Sequence, residues 1–121
     1  MAREGSGLAE DGSSLAADPD ALLLAAYAGG EGEAARLLTE RLVPRAFGQA
    51  LRMLADRAEA EDVVQEAMLR LWRIAPDWRH GGALVSTWLY RVVANLSTDR
   101  LRRRRFRPLD DRVDEPADPA P

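Results

Sequence analysis

Residues 58–73 read AEAEDVVQEAMLRLWR, and the placement of apolar side chains in that stretch decides the fold. Laid out at about 100° per residue, Ala60, Val63, Val64, Ala67, Met68 and Leu71 gather on one side. This is the buried stripe of an amphipathic helix. Its acids fall early (Glu59, Glu61, Asp62) and Arg70 and Arg73 fall late, an order that complements the helix dipole. Opposite the stripe, Asp62, Gln65, Glu66, Leu69 and Arg73 follow one another at spacings of three and four. That face reads either as a solvated surface with one stray leucine or as a docking surface. In the second case Leu69 sets apolar area among acceptors suited to an arginine fork.

Helical signals continue on both sides. Upstream, Asp18-Pro19-Asp20 starts a helix with Asp18 as N-cap and proline in the first turn, and Gly29-Gly30 ends it. Glu31 or Glu33 opens a second helix, along which Leu37, Leu38, Leu42, Phe47, Leu51 and Leu54 recur at helical spacing. Pro44 lies inside that pattern and is expected to kink or split it. Ala55-Asp56-Arg57 reads as a turn. Downstream, Ala75-Pro76-Asp77 and Gly81-Gly82 bracket a loop, and a last helix starts near Leu84. It persists into the arginines at 102–105, where core contacts are expected to run out. No alternating run rich in Val, Ile or Thr signals a strand. The expected fold class is all-α, a compact bundle of three to four helices with flexible termini.

A chain of 121 residues suits one domain. Residues 1–17 have little beyond Leu8 and Leu15 to bury, and residues 110–121 hold three prolines and five acids around Val113. Neither end can offset the entropy of ordering it. The expected organisation is therefore a flexible tail (1–17), a helical domain (18–109) and a flexible acidic linker or tail (110–121). The net charge of −3 conceals an asymmetry. Seven arginines lie between Arg91 and Arg107 against the single Asp99, a formal +6 that points to a polyanionic partner. There is no cysteine, so neither a disulfide framework nor a thiolate metal site is expected. No apolar run has bilayer length and no signal-peptide pattern opens the chain, so a cytoplasmic protein without membrane contact is the expectation.

The last helix carries its own pair of faces. Val85, Leu89, Val92, Val93 and Leu96 form a core stripe, and Thr87, Trp88, Arg91, Asn95, Thr98, Arg102 and Arg105 lie opposite. An aromatic ring that stacks on a base, an amide for base edges and guanidinium groups for phosphate are the parts of a single-strand site. Each has a plainer reading alone: Trp88 as a boundary residue, and the arginine run as a solvated C-terminus favoured by the dipole. His80 alone reads as a solvated loop residue. The conjunction on one face favours nucleic acid.

Two of these stretches carry a family likeness. Ala60-Glu61-Asp62-Val63-Val64-Gln65-Glu66-Ala67, followed by Leu71-Trp72-Arg73, resembles region 2.2 of the extracytoplasmic-function (ECF) sigma factors of bacterial RNA polymerase. Ser86-Thr87-Trp88-Leu89-Tyr90-Arg91-Val92-Val93-Ala94-Asn95, followed by Asp99-Arg100-Leu101-Arg102-Arg103, resembles their regions 2.3 and 2.4. The segment 20–54, with Gly29-Gly30, Ala35 and Pro44, is similar to region 2.1, so the likeness covers residues 18–105. It implies the sigma region 2 fold and a role in transcription initiation without catalysis or cofactor. It implies docking on the coiled coil of the polymerase beta-prime subunit through Asp62, Gln65 and Glu66, whose face also carries Leu69. It further implies recognition and melting of the −10 promoter element by capture of non-template bases. The residues concerned are Trp78, Arg79 and His80 in the loop 78–84, then Trp88, Arg91, Asn95 and Thr98 on the helix. Arg102, Arg103, Arg104 and Arg105 fall on the DNA backbone in this reading. An anti-sigma factor, which many relatives have, is a further candidate partner.

Two departures stand out. Val85 occupies a place where the family often has a larger apolar residue, and no second helix-turn-helix for the −35 element follows in this sequence. The competing reading is a helical protein-interaction adaptor whose Arg-rich end binds nucleic acid or anionic membrane non-specifically. The adaptor binds any DNA alike with strong salt dependence, whereas a sigma domain prefers one non-template single-strand sequence.

Overall fold

The computed structural model describes residues 18–80 and 82–106, and the tails expected to be flexible (1–17 and 110–121) lie outside them. Among the described residues the order is α1 (Pro19–Ala28), α2 (Gly32–Leu54), α3 (Arg57–Ile74), a 3-10 turn (Ala75–Asp77) and α4 (Val85–Arg105), with no strand. The class is all-α, as the periodicity predicts. The helices share one core in which Leu24, Leu38, Leu54, Leu71 and Leu89 are 0% exposed. Each such leucine contributes about 1.5–3 kcal/mol relative to an exposed one.

The six residues assigned to the buried stripe of α3 are the six that α3 buries. In α4 the match is partial: Val85, Leu89 and Val93 are buried, but Val92 and Leu96 are half-buried and Ser97 takes the next core position. The stripe drifts because 3.6 residues per turn carries a spacing of four slowly around the helix. Pro44 neither ends nor splits α2, which runs through it from Gly32 to Leu54. Pro44 and Glu40 are both exposed, so the hydrogen bond that proline cannot make is missing from the exposed face of α2. Leu38, Leu42, Ala46, Ala50 and Leu54 are buried on either side and hold the helix against the core.

The turn after α2 is built by two residues. Ala55 takes a left-handed conformation (φ 53°) and returns its amide to the Leu51 carbonyl, ending α2. Asp56 then caps α3 by accepting from the Glu59 amide at 2.9 Å. Across the bundle, Tyr27 of α1 and Trp72 of α3 pack with ring centroids 4.7 Å apart. Gln49 of α2 donates to the Tyr90 carbonyl of α4 at 3.1 Å. Buried Asp20 accepts from Arg41 at 2.5 Å, joining α1 to α2.

One core atom has no counterpart: the Ser97 hydroxyl, in a residue 0% exposed, has no hydrogen-bond partner among the described residues. A buried, unpaired hydroxyl costs about 1–3 kcal/mol. Ser97→Ala is therefore expected to raise stability by about 1 kcal/mol in urea denaturation, since alanine is also the better helix former. A destabilised Ser97→Ala contradicts this account of the α4 core.

Candidate functional site

The polar face of α3 meets α4 around an open groove of about 400 Å³. Asp62, Gln65, Glu66 and Leu69 line it from α3, and Leu96, Arg100 and Arg103 from α4. All four α3 residues singled out in the sequence are thus brought together. Leu69 is 45% exposed, so its apolar surface is open to a partner. The acids are only loosely engaged. Glu66 accepts from Arg70 one turn on at 3.1 Å, and Arg100 approaches Asp62 at 3.9 Å. Exposed pairs of this kind are worth a few tenths of a kcal/mol, so a partner arginine can displace them.

The outer stripe of α4 is open along its length: Thr87, Arg91, Asn95, Thr98, Arg102 and Arg105 are all exposed. Trp88 is half-buried and packs against the core, meeting Trp78 edge-to-face with centroids 6.2 Å apart. The two tryptophans thus form one aromatic corner where the 3-10 turn leads away from α3 and α4 begins. Arg79 and His80 follow Trp78 and are exposed; Gly81, at the centre of the loop, lies outside the described residues. On the α2 side of α4, burial raises the Tyr90 phenol above its ordinary pKa, while Arg45, 5.3 Å from the ring centroid, acts against that shift.

The four arginines at 102–105 do not share one environment. Arg102 is exposed and loosely paired with Asp99 at 3.3 Å, and Arg105 is exposed on the outer stripe. Arg103 lines the groove beside Leu69. Arg104 turns inward, donating to the Leu54 carbonyl at 3.1 Å and to Glu59 at 2.6 Å. It thereby satisfies a carbonyl at the end of α2 and neutralises an acid in the first turn of α3. Leu101 is the last side chain of α4 packed against the core, and beyond it Arg104 ties the helix end to α2 and α3 by polar contacts alone.

Sequence reasoning missed three participants. Arg70, Leu96 and Arg100 line the groove, and the first and last were visible only as members of charge patterns. Their position follows from how α3 and α4 pack. No trio of acidic or histidine side chains suited to a metal ion occurs among the described residues, and no described helix is long and apolar enough to cross a membrane.

An all-helical bundle with an acid-and-leucine groove beside an arginine-rich helix agrees with the family comparison. Residues 38–107 match the family described as sigma-70 region 2, and the chain belongs to that family. Its similarity extends to ECF sigma factors by name. It is 40% identical over 93 residues to the ECF RNA polymerase sigma factor SigM of Mycobacterium tuberculosis, covering 74% of this chain and 45% of that protein. It is 32% identical over 99 residues to the RNA polymerase sigma-H factor of Pseudomonas aeruginosa, covering 82% and 51%. With SigL of Mycobacterium tuberculosis it shares 37% over 70 residues, 58% of this chain and 40% of the other. The chain spans about half the length of the curated relatives it matches. No solved structure matches it.

The division among the arginines gives a test. Arg104→Ala is expected to lower stability by about 1 kcal/mol, because it frees a carbonyl and an acid that it now satisfies. It should leave the salt dependence of DNA binding unchanged. Arg102→Ala should do the reverse: stability within about 0.5 kcal/mol, and a log–log salt slope flatter by up to about one unit. Equal effects of the two on the salt slope would contradict the inward role of Arg104.

Proposed function

We propose that this chain docks on the beta-prime coiled coil of core RNA polymerase through the α3 groove and captures non-template bases of the −10 element with the outer face of α4. The observation that carries the reading is the separation of the two faces on one rigid core. The acids with Leu69 open on one side of α4, while Arg91, Asn95, Thr98 and Arg102 are exposed on another. Membership of the sigma-70 region 2 family and likeness to named RNA polymerase sigma factors support the same partners.

Docking uses charge. Asp62 and Glu66 supply carboxylates and Gln65 an amide to basic groups of the partner, with Leu69 giving the contact an apolar centre. Strand opening uses binding energy alone. Unpairing and unstacking a base costs a few kcal/mol, and a base held on an aromatic surface returns about 1–3 kcal/mol. The corner of Trp78 and Trp88, with Arg79 and His80 beside it, offers such a surface. Asn95 has the donor and acceptor to read a base edge. Arg91, Thr98, Arg102 and Arg105 supply contacts to the backbone, and no covalent bond is made or broken. The chain acts in transcription initiation in this reading, not as an enzyme, and it works where the polymerase does, in the cytoplasm.

Two substitutions test the two faces separately. Glu66→Arg should leave the fold intact, since it breaks only an exposed pair with Arg70, and should cost about 2–5 kcal/mol of affinity for core polymerase. Asn95→Ala should leave polymerase affinity unchanged and erode discrimination among −10-like single strands by about 1–3 kcal/mol when polymerase is present. Full polymerase affinity in a folded Glu66→Arg protein would remove the docking assignment. An Asn95→Ala protein that binds every strand equally weakly would reduce Asn95 to a surface residue.

A further inference from the structure

One carboxylate holds the starts of two helices that lie 67 positions apart. Asp18 is 7% exposed, and its Oδ1 accepts from the Ala21 amide in the first turn of α1 at 3.2 Å. Its Oδ2 accepts from the Val85 amide, the first residue of α4, at 3.2 Å. α4 has no cap of its own: Leu84 stands at the N-cap position, and its side chain accepts nothing. Val85 is 0% exposed, so without Asp18 its amide would have no water to turn to. Gly82, Ala83 and Leu84, which lead into α4, are all exposed. The entry of the chain into α4 is therefore held by the buried Val85 side chain and by this one acceptor.

We propose that Asp18 is a positioning residue for strand capture. By tying the first amide of α4 to the start of α1, it fixes where α4 begins and how the preceding residues approach it. Trp88 lies one turn further on and Arg91 and Asn95 in the next turns, so the same tie sets their place relative to Trp78. The inference rests on the strand-capturing role proposed for α4. The chemistry is specific to a carboxylate: two amides need an acceptor at once, and an asparagine of the same size offers only one oxygen.

The test uses the chain bound to core polymerase, with Asp18→Asn removing one acceptor and Asp18→Ala both. Polymerase affinity should be unchanged in each. Preference for the cognate single strand over a scrambled one should fall by roughly three- to thirty-fold, the span that loss of one helix cap produces. In hydrogen exchange the Val85 amide should speed up while the amides of Val63 and Leu71 do not. A purely stabilising role would lower polymerase affinity and strand preference together and speed exchange throughout the core, and that result overturns the proposal. So does an undiminished strand preference in a folded Asp18→Asn protein whose Val85 amide exchanges fast. If Asp18→Ala does not fold, Asp18→Asn carries the test, and failure of both to fold assigns Asp18 a structural role only. A wild-type complex with no strand preference would instead overturn the proposed function, which the polymerase-affinity arm leaves separately measurable.

Discussion

The burial of Val85, Leu89 and Val93, each 0% exposed, fixes the rotation of α4 in the bundle, and every surface the molecule offers depends on that rotation. With those three side chains turned inward, helical geometry sends Arg91, Asn95, Thr98 and Arg102 outward. The same rotation brings Leu96, Arg100 and Arg103 against the polar face of α3 to complete the groove. Turning α4 by one residue would carry the outer stripe toward α2 and dismantle both faces together. The Gln49 side chain on the Tyr90 carbonyl and Arg104 on the end of α2 pin the rotation at the middle and far end of the helix. Asp18 pins its beginning.

The electrostatics follow from the same packing. A run of four arginines would repel itself, yet only part of that charge is presented to a partner. Arg104 is consumed by Glu59 and a carbonyl, and Arg103 sits beside the acids of the groove. What remains outward on the stripe is spaced about a turn apart along α4, which suits a phosphate backbone better than a dense patch would. The groove mixes the carboxylates of Asp62 and Glu66 with Arg70, Arg100 and Arg103, whereas the charged residues of the outer stripe, Arg91, Arg102 and Arg105, are all basic, so the two sides differ in the charge they offer a partner.

Where a helix is amphipathic over several turns, sequence alone was enough. The α3 stripe from Ala60 to Leu71 was readable residue by residue because its apolar positions are continuous and its caps local. The four residues of its polar face that line the groove were readable for the same reason. That Pro44 does not split α2 was not legible, because proline carries a real cost in an isolated helix, and only the buried leucines and alanines of α2 on both sides show why it is borne here. Ser97 was hidden because a serine gives no apolar signal. Arg104 was hidden because four identical residues differ only in angle. The bond from Asp18 to Val85 leaves no periodic trace: a single hydrogen bond across 67 positions depends on how α1 and α4 meet, which is a property of the bundle. The α4 face was legible as a set of residue types, while the aromatic corner of Trp78 and Trp88 required coordinates.

The central claim, that docking and strand capture occupy separate faces of one bundle, is tested most directly by a three-component titration. Fluorescently labelled single strands, −10-like and scrambled, are titrated with core polymerase, with the chain, and with both together, and anisotropy is followed. The account predicts a saturable complex with the −10-like strand that requires chain and polymerase at once, and a much weaker one with the scrambled strand. Binding by the chain that polymerase does not change, equal for both strands and lost evenly as salt rises, would contradict it.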